Sequence, residues 1–100
     1  MNIFHMPAFP LEDELTTILQ EGEGIRIERI VSAGQTSSWY DQEENEYVIL
    51  LQGEAEIEFK DAEAVALTAG DCLLLPAHQI HRVSYTSWEP PCLWLCVFWR

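Results

Sequence analysis

From Glu54 to Lys60 charged and apolar residues alternate without a break: Glu54, Glu56, Glu58 and Lys60 on one side, Ala55, Ile57 and Phe59 on the other. A period of two belongs to a strand that is buried on one face and wet on the other. The apolar run before it, residues 46–51, ends at Gln52-Gly53, a turn-type pair that predicts a hairpin joining the two. Asp61-Ala62 predicts a tight turn into a strand at 63–67, and Ala69-Gly70-Asp71 a turn into the buried run Cys72–Leu75. Pro76 closes that run, because proline cannot donate to a ladder. Residues 80–86 and Cys92–Trp99 read as two further strands, separated by Pro90-Pro91. The last strand is apolar on both faces, so it is either central and covered on both sides or part of a subunit interface.

Upstream, residues 24–31 form a strand with Ile25 and Ile27 on one face. Arg29 shares that face; it either pairs with an interior acid or is turned outward by a bulge near Ile30. Residues 10–20 are mixed: Glu12, Asp13 and Glu14 suit the first turn of a helix, whereas Thr16-Thr17-Ile18 suits a strand. A short helical turn leading into a strand is expected there. Short strands at regular spacing with turn signals between them predict an all-β sandwich or barrel, and 100 residues suffice for one domain.

Composition narrows the partners. Hydrophobic residues make up 48% of the chain, ample for a core, and 17 acidic against 5 basic residues leave a formal charge of -12. Such a surface repels phosphate backbones and anionic lipid head groups, so neither nucleic acid nor a membrane surface is an expected partner. The longest late apolar stretch, Cys92–Trp99, is far short of a membrane span. Residues 1–10 show neither a basic start nor a long apolar run, so no secretory signal is expected and the cytoplasm is the expected compartment. Cys72, Cys92 and Cys96 form no Cys-x-x-Cys pair. Four positions of strand separate the last two by about 13 Å, too far to bridge. Reduced, buried thiols are expected.

Two segments carry a more specific pattern. Residues 34–53 place Gly34, Glu46 and Gly53 as the first cupin motif does: glycine, five residues, His-x-His, three or four residues, glutamate, six residues, glycine. Tyr40 and Gln42 stand at the two histidine positions. Residues 70–82 place Gly70, Pro76 and His81 as the second motif does, with His78 at its inner glycine and Tyr85 at its closing asparagine. Sixteen residues lie between Gly53 and Gly70, a compact spacing for such barrels. The chain thus resembles a small single-domain cupin spanning residues 1–100, in particular a subgroup with Tyr-Asp-Gln in place of the paired histidines. No particular reaction travels with that subgroup. The resemblance implies an antiparallel jelly-roll β-barrel with the motif residues pointing inward.

Strand parity agrees with an interior polar cluster. Glu46 shares a face with Val48 and Leu50; His81 shares one with Val83 and Tyr85; Tyr40 and Gln42 are two apart. A carboxylate and an imidazole on apolar faces are costly to bury unless paired or ligating. The expected ligand pocket therefore comprises Tyr40, Gln42, Glu46, His81, Trp39 and Tyr85, with Glu46 and His81 as candidate acid–base groups. The resemblance to cupins implies a candidate site for a divalent transition metal, zinc, nickel, manganese or iron, on Glu46 and His81 with Gln42 or His78. Two firm ligands fall short of the usual three, so the ligand count weighs against a metal and towards a pocket without one. Trp39, Tyr47, Tyr85, Trp94 and Phe98 either line the pocket or belong to core and interface. Trp88, Trp94 and Trp99 favour an interface, and a homodimer is the expected assembly. Three functions remain open: a small-molecule-binding cupin, catalytic or not; a ligand-sensing or structural barrel that has lost the metal; and an interaction protein working through its last strand.

Overall fold

The computed structural model, which describes residues 1–100, contains eight strands and no helix. They are β1 Leu15–Gly22, β2 Ile25–Ser32, β3 Asn45–Gln52, β4 Glu54–Phe59, β5 Val65–Thr68, β6 Cys72–Leu75, β7 His81–Thr86 and β8 Cys92–Trp99. Two antiparallel sheets face each other, one of five strands in the order β1-β2-β8-β3-β6 and one of three in the order β5-β4-β7. This is the all-β jelly-roll architecture that the alternation and the turns imply. The helical turn expected within residues 10–20 does not form. The threonines and isoleucine of Leu15–Gly22 pair along β2 instead, with a bulge between Ile18 and Gln20.

β8 explains most of the layout. It is hydrogen-bonded along both edges, to β2 and to β3, and is the middle strand of the larger sheet. Its two apolar faces are thus both used, and the sequence alternative of a central, covered strand is the one realised. Cys92, Trp94, Cys96 and Phe98 face the space between the sheets and join Val48, Leu50, Ala55, Ile57, Leu67 and Leu75 in one core. Leu93, on the opposite face, is also buried, next to Val31 of β2.

That outer face settles the position of Arg29. The strand runs regularly through it, with no bulge in the β2–β8 ladder, and the side chain is 5% exposed. It meets no acid. Its Nη1 donates to the carbonyls of Ile3 (3.2 Å) and His5 (2.6 Å), so the N-terminal segment crosses the sheet at this point. Gln35 donates to the Leu11 carbonyl and extends the attachment. With Ile25, Ile27, Arg29 and Val31 on the outer face, the alternate residues Arg26, Glu28, Ile30 and Ser32 point inward. The more polar stripe of β2 therefore faces the interior.

The hairpin expected at Gln52-Gly53 is not one. β3 belongs to the larger sheet and β4 to the smaller, so the pair is a corner that carries the chain across the sandwich. Gly53 makes the corner feasible. Its φ is 93°, and a Cβ there would lie 2.9 Å from the Cys92 Cα and from the Ser87 hydroxyl oxygen. The Asp61-Ala62 turn does close a hairpin, between β4 and β5. Of the three free cysteines, Cys92 and Cys96 are buried as expected, but Cys72 is exposed on the edge strand β6, whose outer face nothing covers there. No helix is long and apolar enough to cross a membrane.

The corner supplies a stability test. Gly53→Ala combines a left-handed backbone with a clash against backbone atoms, and it should cost about 2 kcal/mol or more in urea unfolding. Gly24→Ala, also at positive φ but with open space around it, should cost less.

Candidate functional site

Between the two sheets lies a cavity of about 300 Å³. Its walls combine the inward stripes of β1, β2, β3, β7 and β8 with the loop that carries Tyr40, Gln42 and Glu44. The barrel floor is apolar, from Val48, Ile57, Leu75, Val83 and Trp94, and the polar groups gather on one side.

Glu46 stands on β3 opposite Phe98 of β8 and Leu75 of β6, an arrangement that fixes it inward. It is 8% exposed. Gln42 donates its amide Nε2 to Glu46 Oε1 at 3.1 Å. Burial raises the Glu46 carboxyl above the usual carboxylate range. The Gln42 hydrogen bond and the charge of His81 pull it partly back, while Glu28 pushes it further up. The Cys96 thiol lies against Glu46 and is held well above its ordinary value, first by burial and then by the charge of Glu46.

His81 opens β7 and is 3% exposed. Its backbone exchanges two hydrogen bonds with Tyr40, which ties the loop to the strand, and its ring lies 5.6 Å from that of Tyr40 and 6.5 Å from that of Phe59. The ring Nδ1 sits 2.8 Å from the Gln79 carbonyl oxygen. A carbonyl only accepts, so Nδ1 carries the proton and donates. Nε2, which has no protein partner, is left to the cavity.

Four of the six expected pocket residues, Tyr40, Gln42, Glu46 and His81, are brought together; Trp39 and Tyr85 are not. Tyr85 is 50% exposed because β7 bulges at Ser84: Val83 pairs with Ile57, but Tyr85 pairs with the adjacent Glu56. One extra residue reverses the parity that puts His81 and Val83 inside. Trp39 instead packs on the surface beneath Lys60 and Arg82. His78 adopts φ 65° at the position where the motif has glycine, and its Nδ1 meets Asp41 at 2.8 Å out in solvent. It does not line the cavity.

The cavity also contains residues that the sequence pattern did not single out: Glu14, Arg26, Glu28, Glu44 and Cys96. Arg26 is engaged on all three nitrogens, to Glu28 through Nε at 2.6 Å and to Glu44 through both Nη atoms at 3.0 Å, and it lies over the Phe98 ring. Their signal was the i, i+2 spacing of Arg26 and Glu28, which reads as solvent-facing unless the opposite stripe is known to be covered.

No three His, Cys, Asp or Glu side chains converge closely enough to hold a metal ion. Gln42 turns its amide nitrogen towards Glu46 and the Glu44 carbonyl, and His78 faces away. The donor set does not fit a firmly held transition metal.

Residues 27–98 match the Cupin domain family. The chain belongs to the cupins. Among solved structures, this cupin is similar to a protein from Ralstonia eutropha JMP134 described as a candidate mannose-6-phosphate isomerase. The two are 38% identical, with a TM-score of 0.92 over 99% of this chain and 95% of the other. A cupin superfamily protein from Desulfitobacterium hafniense shares the fold at 23% identity, with a TM-score of 0.79 over 93% and 83% of the two chains. The cupin is also 38% identical over 52 residues to the uncharacterized protein YdbB of Bacillus subtilis. That match spans 52% of this chain and 46% of YdbB.

The raised Glu46 pKa predicts a pH dependence. A carboxyl whose folded pKa lies above its unfolded value favours the fold while protonated, and that contribution disappears as pH rises through the folded value. Glu46→Gln should therefore unfold at a higher temperature than the parent chain near neutral pH, with the gap closing as pH falls to about 4. Thermal melts across that range check both sign and trend.

Proposed function

We propose that this cupin binds a small organic molecule in the barrel interior and that Glu46 and His81 act on it as a proton-transfer pair. The single observation that supports this most is the state of His81. An imidazole buried to 3% exposure keeps one nitrogen without a protein partner, aimed into a cavity of about 300 Å³. A ring nitrogen without a protein partner, on a side chain that lines a cavity, is a natural contact for a ligand.

The chemistry of the pair fits proton transfer. Nδ1 donates to the Gln79 carbonyl, which leaves Nε2 as the ring nitrogen available to a ligand. Burial holds the Glu46 carboxyl above the usual carboxylate range, the direction that suits a proton-transfer group. Two proton-carrying side chains that face one cavity from opposite sheets suit isomerisation, in which a proton leaves one atom and returns to its neighbour. The isomerase description of the Ralstonia eutropha relative is in keeping with that class of step.

Ligand-observed NMR with a panel of sugars, amino sugars, sugar phosphates and small amines tests the reading. Compounds that bind the parent chain should lose at least tenfold in affinity for His81→Ala and Glu46→Gln, about the worth of one charge-assisted hydrogen bond. They should bind Tyr85→Ala as before, since Tyr85 lies outside. Equal binding to His81→Ala, or no binder at about 1 mM, overturns it.

A further inference from the structure

The charge of the cavity wall deepens that reading, on which the following rests. Four glutamates, Glu14, Glu28, Glu44 and Glu46, line the space against one cation, Arg26. Arg26 has nothing left to offer a ligand. Its three nitrogens are spent on Glu28 and Glu44, and its guanidinium is stacked 4.4 Å from the centre of the Phe98 ring.

The chain's other four cations are all elsewhere. Arg29 is on the outer face beneath the N-terminal segment, Lys60 and Arg82 cover Trp39, and Arg100 reaches Glu43 at the surface. With Glu28 and Glu44 sharing Arg26, Glu14 and Glu46 face the cavity with no lysine or arginine against them, Glu46 having only the Gln42 amide and His81 beside it. Both are held above the usual carboxylate range, by burial first and by the charge of Glu28 as well. The wall is short of positive charge, and nothing else in the protein supplies it.

Two observations besides the acids point to a ligand. His81 turns its unpartnered Nε2 into the same space from a position that is 3% exposed. Trp94, with Nε1 already donating to Ser32, offers only its ring to the cavity, an apolar surface for the body of a small molecule.

We propose that the cavity selects an organic cation: a compound with a protonated amine seated between Glu14 and Glu46, and an apolar or ring-shaped body against Trp94. The amine supplies the missing positive charge and donates to both carboxylates, while a polar group at the other end meets His81 Nε2. Anionic compounds are excluded by the same wall. A phosphate would have to enter beside unpaired carboxylates with no free guanidinium or ammonium to receive it. A phosphorylated sugar, named for the Ralstonia eutropha relative, therefore does not suit this chain.

Calorimetry on the full chain with three probes of one shape tests the selection: phenethylamine as cation, 2-phenylethanol as neutral analogue and 3-phenylpropanoate as anion. Mannose 6-phosphate serves as a fourth. The amine should bind at least tenfold more tightly than the alcohol, and the two anions should not bind at about 10 mM. Glu46→Gln should weaken the amine at least tenfold and, at the rim, Glu14→Gln at least threefold, each with a smaller loss for the alcohol. Raised salt should weaken only the amine. Binding of the alcohol or an anion as tightly as the amine, with loss in His81→Ala, overturns the charge selection yet keeps the interior as the binding site. No binding by any of the four overturns the selection, and the broader ligand reading then stands or falls on the NMR panel.

Discussion

Arg26, Glu28 and Glu46, the charged groups on the strands of the larger sheet, are placed by pairing to β8. This strand is apolar on both faces and hydrogen-bonded along both edges, so it has to lie at the centre of a sheet covered above and below. Once it does, its partners are fixed in register. Arg26 and Glu46 both come to lie opposite Phe98, Glu28 opposite Cys96, and Ile30 opposite Trp94. A slip of one residue on either side would send the carboxylates to the outer face and the aliphatic residues to the interior. The acidic wall and the aromatic floor are thus two expressions of one strand's hydrophobicity.

Part of this was legible in the sequence because it depends on local periodicity. Glu46 with Val48 and Leu50, and the strand Cys72–Leu75, need only a count of two and a proline to be located correctly. Gly53 was legible as a turn residue, though not as a corner, because choosing between a hairpin and a sheet change requires knowing what β3 pairs with. Tyr85 failed for a different reason. Whether Ser84 is the extra residue of a bulge depends on the partner strand β4, which local alternation does not contain.

The largest omission was the acidic lining. Arg26 and Glu28 alternate with isoleucines, and that pattern ordinarily places the charges in water. Here the isoleucine stripe lies on the outer face, part of it under the N-terminal segment, and the charged stripe turns inward to be neutralised by its own neighbours. A strand therefore reveals which of its stripes is inside only when both covers are known. Residues 1–14, which form no strand of their own apart from the approach to β1, supply part of one cover.

Arg29 gives that cover an unusual tolerance. Its guanidinium reaches the backbone carbonyls of Ile3 and His5 rather than any side chain, and its Nε remains without a partner. A carbonyl is present whatever residue bears it. The first few positions can then drift in side-chain identity over evolution while the path of the chain across the sheet stays the same.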